Sequence, residues 1–277
     1  MIEDLKTNAQ TWEQALHTSG GKLELPKCFW FLMIWIWVGG LPRLATIKQK
    51  PGNLELIQTE SKNNKKIKIK RMEVTEANRV LGVRMSVDGN WKTEVRHWMG
   101  QSRAFASKIR QAKFPRICGI RVFPFMWVAK VRYSASIVGY TREQCNKIQS
   151  PVVRECLAAS GLNSNFPRGV VFTSVRYGGL GWEHMRTTQT YEFINLFLKH
   201  IKMNDEMSKL IRISLEKAQQ QAGVSSPILE RSTVIKPYVD NNWIYCLHKL
   251  LMEGSMTIKL ENTEESETTR VGDVYLK

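Results

Sequence analysis

The chain has 277 residues, of which 43% are hydrophobic and 24% are charged, a composition that is typical of a globular protein and excludes a mostly disordered or collagen-like chain. Its five Cys residues are odd in number and show no paired spacing, which excludes a typical secreted disulfide scaffold. The 41 Lys and Arg outnumber the 25 Asp and Glu, and the resulting net charge of +16 favours a polyanionic partner, either nucleic acid or an anionic membrane.

The positive charge is concentrated in the middle of the chain. Residues 41–150 hold 23 Lys and Arg against seven Asp and Glu, so this segment carries the whole net charge. Such a block is typical of a polyanion-binding surface, with a solubilising surface as the alternative. The N-terminus has no apolar core after a basic start, so we expect no signal peptide and an intracellular protein, nuclear or cytoplasmic and not secreted.

The first ninety residues are predicted to contain one helix and several strands. Apolar spacing predicts an amphipathic helix over residues 3–17. The aromatic run 28–38 is shorter than the roughly 20 residues of a membrane-spanning helix. It is interpreted as a strand buried on both faces, with a membrane-interface hairpin as the alternative. Residues 48–66 are predicted to be a polar loop, residues 65–70 a charged edge strand, and residues 80–85 a glycine-containing strand before a turn.

The clearest amphipathic pattern lies in residues 91–113. Apolar residues recur there every three or four positions, which predicts a helix with Trp98 in the core. Arg96, Arg103 and Arg110 recur every seven positions on an adjacent stripe. A helix that packs through one face and is cationic on the next is suited to lie along a phosphate backbone. An ordinary solvated helix face is the alternative.

The rest of the chain is predicted to be mainly helical. A buried helix is predicted over residues 117–138, and Thr141 with Gln144 forms the capping-box pattern that opens another helix. Residues 169–175 are predicted to be a strand or an extended segment. Further helices are predicted over residues 187–202, 205–222 and 241–253. The acidic stretch after Lys259 is predicted to be mobile.

The residues alone reveal no catalytic centre. The five Asp are scattered, whereas two-metal nucleotidyl transfer needs at least two carboxylates at one site. The chain has no C-x₂-C zinc pattern, and no His has a Ser or Cys partner at a recognisable nucleophile elbow. The glycine-rich stretch 178–181 does not match a phosphate-binding loop and is interpreted as a tight turn. We therefore predict a basic nucleic-acid-binding protein without a metal site.

Four short motifs follow one another in an order that resembles the C-terminal half of a reverse transcriptase of non-LTR (LINE-type) retrotransposons. They are Gly20–Cys28 (GGKLELPKC), Val80–Ser86 (VLGVRMS) with Asp88-Gly89 behind it, the basic helix 91–113, and Tyr177–Gly181 (YGGLG). The resemblance covers most of the first 180 residues. It implies an α+β fold, with a small residual palm-type antiparallel sheet and a helix, followed by a mainly α-helical thumb and C-terminal region.

The same resemblance implies a division of the chain into four parts. The first is the end of a palm-like subdomain (1–90) with a polar insertion (48–70), and the second is a basic, helical, thumb-like subdomain (91–160). A helical C-terminal region (161–254) and a polar acidic tail (255–277) follow.

The resemblance also implies roles for particular residues. Lys27 would be an auxiliary lysine that assists the departure of pyrophosphate, and Leu81, Gly82 and Val83 would form a primer grip. The residues expected to contact an RNA–DNA or DNA template–primer duplex are Lys92, Arg96, Arg103, Lys108, Arg110 and Lys113.

The catalytic Asp motifs and the fingers of the family do not occur in this sequence. The resemblance therefore implies a fragment that contributes duplex binding, is inactive alone as an RNA-directed DNA polymerase, and has the N-terminal half of the polymerase as a partner. The full family enzyme would use Mg²⁺, whereas no cofactor is expected in this chain. The alternatives are a non-enzymatic basic nucleic-acid-binding protein, a peripheral membrane protein and a helical scaffold that binds another protein, although the last would leave the basic excess unexplained. Stable membrane insertion is not expected.

Overall fold

The computed structural model describes residues 2–59, 65–203, 205–231 and 242–260. These residues form a mixed α and β structure that is mainly helical and contains small sheets. The chain divides into two compact units, residues 1–96 and residues 97–277. Each unit has a hydrophobic cluster of its own.

The first unit combines a long helix with short strands. Helix α1 is Ile2–Thr18, as the apolar spacing predicts, and Leu25–Lys27 form a single 3₁₀ turn. The strands are β1 (Phe29–Trp30), β2 (Trp35–Val38), β3 (Leu41–Leu44), β4 (Leu54–Ile57), β5 (Lys66–Arg71), β6 (Asn78–Val80) and β7 (Val83–Met85).

Strand β5 lies at the centre of a three-stranded sheet, between β1 and β4. It pairs parallel with β1 and antiparallel with β4, so the sheet is mixed and not antiparallel throughout as predicted. The prediction of a strand at residues 65–70 is confirmed, but its predicted position at the edge of the sheet is wrong. The prediction of a loop over residues 48–66 is wrong as well, because β4 lies within this range. The alternating side chains of β4 and β5 bury Leu54, Leu56 and Ile69, and this pattern is what makes them half-buried strands.

The aromatic run 28–38 is not one buried strand. It forms β1 and, after a break, β2, which pairs with β3 in an antiparallel hairpin. Trp30 is buried in the sheet core, whereas Trp35 and Trp37 are 66% and 76% exposed. An apolar run indicates which residues favour burial, but only the part of this run in β1 contributes to the packed core of the three-stranded sheet.

Residues 80–85 form a turn between two strands and not a single strand. Val80 pairs with Val83, so Leu81 and Gly82 are the two-residue loop of the β6–β7 hairpin. Both have positive φ, 48° and 96°, as a tight primed hairpin turn requires. The glycine belongs to this turn.

The second unit consists of helices. They are α2 (Lys92–Gln111, whose first turn belongs to the first unit), α3 (Arg116–Val122), α4 (Ala129–Ile137), α5 (Arg142–Ala159), α6 (Arg168–Phe172), α7 (Met185–Ile201), α8 (Glu206–Ala222) and α9 (Trp243–Glu253). A π-helical stretch, Phe123–Val128, joins α3 to α4. The segment predicted as a buried helix is thus helical, but Phe125 and Tyr133 on it are 74% and 52% exposed, so only one side of it packs.

Local capping signals are confirmed where they were clear. Thr141 accepts a hydrogen bond from the Gln144 backbone N–H, and the Gln144 side chain accepts one from the Thr141 N–H, which is the full capping box at the start of α5. The strand predicted over residues 169–175 is wrong, because this segment forms the short helix α6 after Pro167. Residues 261–277, most of the predicted mobile tail, lie outside the described residues.

Aromatic side chains hold the helices of the second unit together. Trp98 of α2 is 7% exposed, packs edge-on against Trp127 at 6.0 Å between ring centroids, and donates its indole N–H to Ser134 Oγ at 2.9 Å. The prediction that Trp98 lies in the core is confirmed. A second cluster, centred on Phe193 and Phe197, joins α7 to α8 and α9.

Candidate nucleic-acid interface

The basic residues of α2 lie on more than one side of the helix. With about 100° of rotation per residue, Lys92, Arg96, Arg103 and Arg110 share one stripe, whereas Lys108 lies on the far side of the helix. All five are exposed. Lys113, also exposed, lies beyond Gln111, where α2 ends. The structure thus brings four of the six predicted duplex contacts onto one side of α2.

A groove of about 500 Å³ runs between α2 and α5 in the second unit. Arg103 and Arg110 line it from α2, and Lys147 and Arg154 line it from α5. Within each pair the two residues are seven positions apart, which places them two turns apart on the same side of their helix. The groove therefore has two cations on each wall, and the Ser107 and Ser150 hydroxyls are also at its surface.

Two of these four cations have carboxylate partners. Arg110 forms a bidentate ion pair with Glu155, with 3.1 Å between its Nε and Oε2. The hydrogen bond to Arg110 holds the pKa of the Glu155 carboxyl below its ordinary value, and Glu155 raises the pKa of Arg110. Lys147 contacts Glu143 at 2.6 Å between Nζ and Oε1, outside the groove lining.

Arg103 and Arg154 form no ion pair with any residue that the structure describes. Both are exposed, and Glu155 is the single carboxylate among the described residues that line the groove. The groove therefore keeps a net positive charge. Arginine guanidinium groups bind phosphate oxygens in a fork geometry, so these two are suited to contact a phosphate backbone.

Each of the two helices also has a buried side that does not line the groove. Ile109 of α2 is buried on the side away from the stripe, as are Ile148, Val152 and Cys156 on α5. Burial raises the pKa of the Cys156 thiol to about 12. These buried side chains carry no charge, and the positive charge of the groove comes from the exposed side chains that line it.

The remaining predicted site residues lie in the first unit. Lys27 is exposed at the end of the 3₁₀ turn. Leu81, at the tip of the β6–β7 hairpin, is 86% exposed, while Val83 is fully buried. Gly82 supplies the second positive φ of the turn. The roles that the resemblance implies for these residues stay predictions.

Lys147 and Arg154 were missed by the sequence reasoning, although a signal was present. They are spaced seven apart on a helix with a clear capping box, which is the same spacing that singled out Arg103 and Arg110. Pro151 lies between them, inside the helix. The structure keeps α5 continuous through Pro151, and the two cations stay on one side.

Two other properties bear on function. Within the described ranges, no three His, Cys, Asp or Glu side chains come together as a metal site would require. No helix of the described part of the chain combines the length and apolar character needed to cross a membrane.

Comparisons with known proteins add no relative. No protein-family model matches the chain, and neither a curated protein nor a solved structure does.

Proposed function

We propose that this chain binds the phosphate backbone of an RNA–DNA or DNA duplex, as a C-terminal part of a non-LTR-type reverse transcriptase. The observation that supports the proposal is the groove between α2 and α5, with two cations on each wall and a single carboxylate in its lining. Phosphate contacts fix the position of a protein on a duplex but carry no sequence information. The binding is therefore expected to be independent of sequence.

The catalytic part of the proposal follows from the sequence. The Asp residues are dispersed, and two-metal nucleotidyl transfer needs carboxylates that converge. The chain alone is proposed to bind a template–primer without extending it. A primer-extension assay with Mg²⁺ and all four deoxynucleotides tests this statement, and incorporation by the purified chain would contradict it.

The binding test is fluorescence anisotropy with a labelled RNA–DNA hybrid, titrated over a range of salt concentrations. If each of the groove cations except Arg110, which Glu155 already neutralises, contacts one phosphate, the logarithm of the binding constant should fall against log salt with a slope of about −2.7, the B-DNA value for three contacts. The variant Arg103→Glu/Arg154→Glu removes the two cations without ion pairs. We expect it to lose hybrid binding and to keep its far-UV circular dichroism.

A matched control is available in the same unit. Arg176→Glu/Lys199→Glu makes the same change in net charge at exposed positions outside the groove. This control should bind with a small loss that reflects net charge alone. If both double variants lose the same affinity, or a folded groove variant binds like the wild type, the groove is not the binding surface.

A peripheral membrane protein is the other outcome that the test must recognise. The exposed Trp35 and Trp37 on the β2–β3 hairpin are the observation that keeps this candidate open, because Trp side chains favour membrane interfaces. Flotation with vesicles that contain anionic lipid, in the absence of nucleic acid, would support it. A chain that stays unbound under these conditions, while it binds the hybrid, would exclude it.

A further inference from the structure

A second and larger cavity lies on the other side of α5. Its volume is about 770 Å³, within the range of small-molecule sites. Its walls are α5, α6, the start of α7 and the end of α9. Ser150 of α5 lines both this cavity and the groove, so the two are separated by one helix.

Three arginines line this cavity, and each is at the N-terminal end of a helix. Arg142 is the first residue of α5, Arg168 the first of α6, and Arg186 the second of α7. A cation at a helix N-terminus is unfavourable, because the backbone dipole already places partial positive charge there. Arg142 and Arg186 therefore do not stabilise their long helices, and together with Arg168 they concentrate positive charge around one space.

The carboxylates of the cavity do not balance these charges. Glu253 pairs with Arg186, with 2.9 Å between Oε2 and Nε, and Arg186 also donates to the Tyr140 carbonyl. Arg186 is thus fully engaged in the fold. Among the described lining residues no other carboxylate is present, and Arg142 forms no ion pair with a described residue. The guanidinium groups of Arg142 and Arg168 thus have no carboxylate partner among the described residues.

Arg168 is half-buried, and its guanidinium donates to the backbone carbonyls of Ser164 at 3.0 Å and Phe166 at 3.5 Å. Burial and, secondly, the charge of Arg154 hold the pKa of Arg168 below its ordinary value. An anion bound beside Arg168 would relieve both effects, because it would compensate the buried charge.

The polar lining beside the arginines is fixed by hydrogen bonds. His184 caps α7 through Nδ1, which accepts the Arg186 backbone N–H at 3.0 Å, so its Nε2–H donates to Asn146 Oδ1 at 2.8 Å. The amide nitrogen of Asn146 is then oriented away from His184 as a donor. Phe172 packs edge-on against the His184 ring at 4.9 Å, and gives the cavity an aromatic side.

We propose that this cavity binds the phosphate of a nucleotide, with Arg142 and Arg168 as the phosphate ligands and Phe172 beside the base or sugar. The inference rests on the proposed function in one respect, because one source of the phosphate is the end of a nucleic-acid strand bound in the groove. Such a strand would have to cross only α5 to reach the cavity. A free nucleoside monophosphate is the other source, and the chemistry at the arginines is the same for both.

The first arm of the experiment uses an RNA–DNA hybrid with a single-stranded 5′ overhang, prepared with a 5′-phosphate or with a 5′-hydroxyl. We expect the phosphorylated hybrid to bind the full chain about tenfold more tightly, the effect of one charge-assisted hydrogen-bonded contact. Arg142→Gln should abolish the difference between the two hybrids. Arg103→Gln, in the groove, should weaken both hybrids equally and leave their ratio unchanged.

The second arm titrates the chain with AMP by calorimetry, without nucleic acid. AMP binding that Arg142→Gln abolishes, with no effect of the 5′-phosphate on hybrids, would support the cavity and assign it to the free nucleotide. Hybrid binding with neither a phosphate preference nor AMP binding would overturn the inference and leave the proposed function standing. AMP binding without any hybrid binding would support the inference about the cavity and contradict the proposed function. Arg142 is exposed, so an unchanged melting temperature is expected for Arg142→Gln and shows that the variant is folded.

Discussion

Two arginines on the same stripe of α2 differ in what they can offer to a ligand. Arg103 has no ion-pair partner among the described residues, whereas Arg110 is held by Glu155. Both arginines belong to the same seven-residue spacing on α2. They differ because Glu155 of α5 forms an ion pair with Arg110 and not with Arg103. The charge that a phosphate encounters is therefore set by the neighbouring helix as much as by the residue itself.

Glu155→Gln is expected to strengthen binding of the RNA–DNA hybrid. The substitution removes the single carboxylate of the described groove lining and releases Arg110, which adds about one phosphate contact and makes the salt slope steeper by about 0.9. Arg110 is exposed, so water screens its ion pair with Glu155 and the melting temperature should change little. Anisotropy at several salt concentrations measures the slope. Weaker binding by a folded Glu155→Gln variant would show that the pair, and not the free cations, forms the binding surface.

His184 connects the second cavity to pH. Burial, and secondly the charges of Arg142 and Arg186, lower its pKa to about 4 from 6.5. Between these two pH values His184 is protonated in the unfolded chain and neutral in the folded chain. His184 should therefore reduce the free energy of unfolding as the pH falls from about 6.5 to about 4. Above that window its contribution to stability is constant.

The measurement is the melting temperature at half-unit steps from pH 7 to pH 4. His184→Asn keeps a side-chain acceptor at the helix N-cap and has no proton to gain. We expect it to flatten the pH dependence in this window relative to the wild type. Equal slopes for the two proteins would mean that other groups cause the loss of stability, namely the carboxylates or His248, whose pKa is also lowered by burial.

At the scale of elements, the periodicity of apolar residues predicted helices correctly, whereas the residue types of a segment did not predict its structure. The regular apolar spacing of α1, α2 and α8 predicted helices that the structure contains. The β-branched and aromatic residues of 169–175 predicted a strand, but the segment follows Pro167 and no strand is available to pair with it among the described residues of the second unit. β5 was predicted at an edge because of its lysines, yet their side chains point to the exposed face while β1 and β4 pair with its backbone. The segments that lie next to 169–175 and to β5 in space determine their structure, and a single sequence does not reveal these neighbours.

The contact between α3 and α5 depends on a glycine that the sequence reasoning did not single out. A Cβ at Gly119 would lie 2.8 Å from the backbone of Ala159 and Ser160, so the two helices approach closely there. Gly119→Ala is expected to lower the free energy of unfolding by about 1–3 kcal/mol, because overpacked backbone must shift. Chemical denaturation measures the change.

Gly100 provides the matched control for this prediction. It also lies within a helix, α2, but a Cβ there meets nothing within 4 Å. Gly100→Ala should raise stability by about 0.5–1 kcal/mol, the ordinary gain of Ala over Gly in a helix. If both variants shift stability in the same direction, the close approach of α3 and α5 is not the determinant.

At the scale of the whole molecule, positive charge belongs to both units, but the groove belongs to one. The first unit holds 16 Lys and Arg against ten Asp and Glu, and the second holds 25 against 15. The sequence located the basic excess and the helix that carries part of it. It could not show that α5 supplies the opposite wall, because that requires the fold of the chain between Gln111 and Arg142 to be known.

A fragment of residues 91–277 tests whether the groove is sufficient for duplex binding. It retains α2 as a whole and all the described residues that line the groove, together with the hydrophobic cluster around Phe193 and Phe197. Since none of the described residues among 1–90 lines the groove, we expect the fragment to fold and to bind the RNA–DNA hybrid with the same salt slope as the full chain. Circular dichroism and anisotropy measure the two properties separately. A folded fragment with a markedly shallower slope would place part of the phosphate contacts in residues 1–90, where Lys27 and the β6–β7 hairpin lie, and would then favour the palm-like role that the resemblance implies for them.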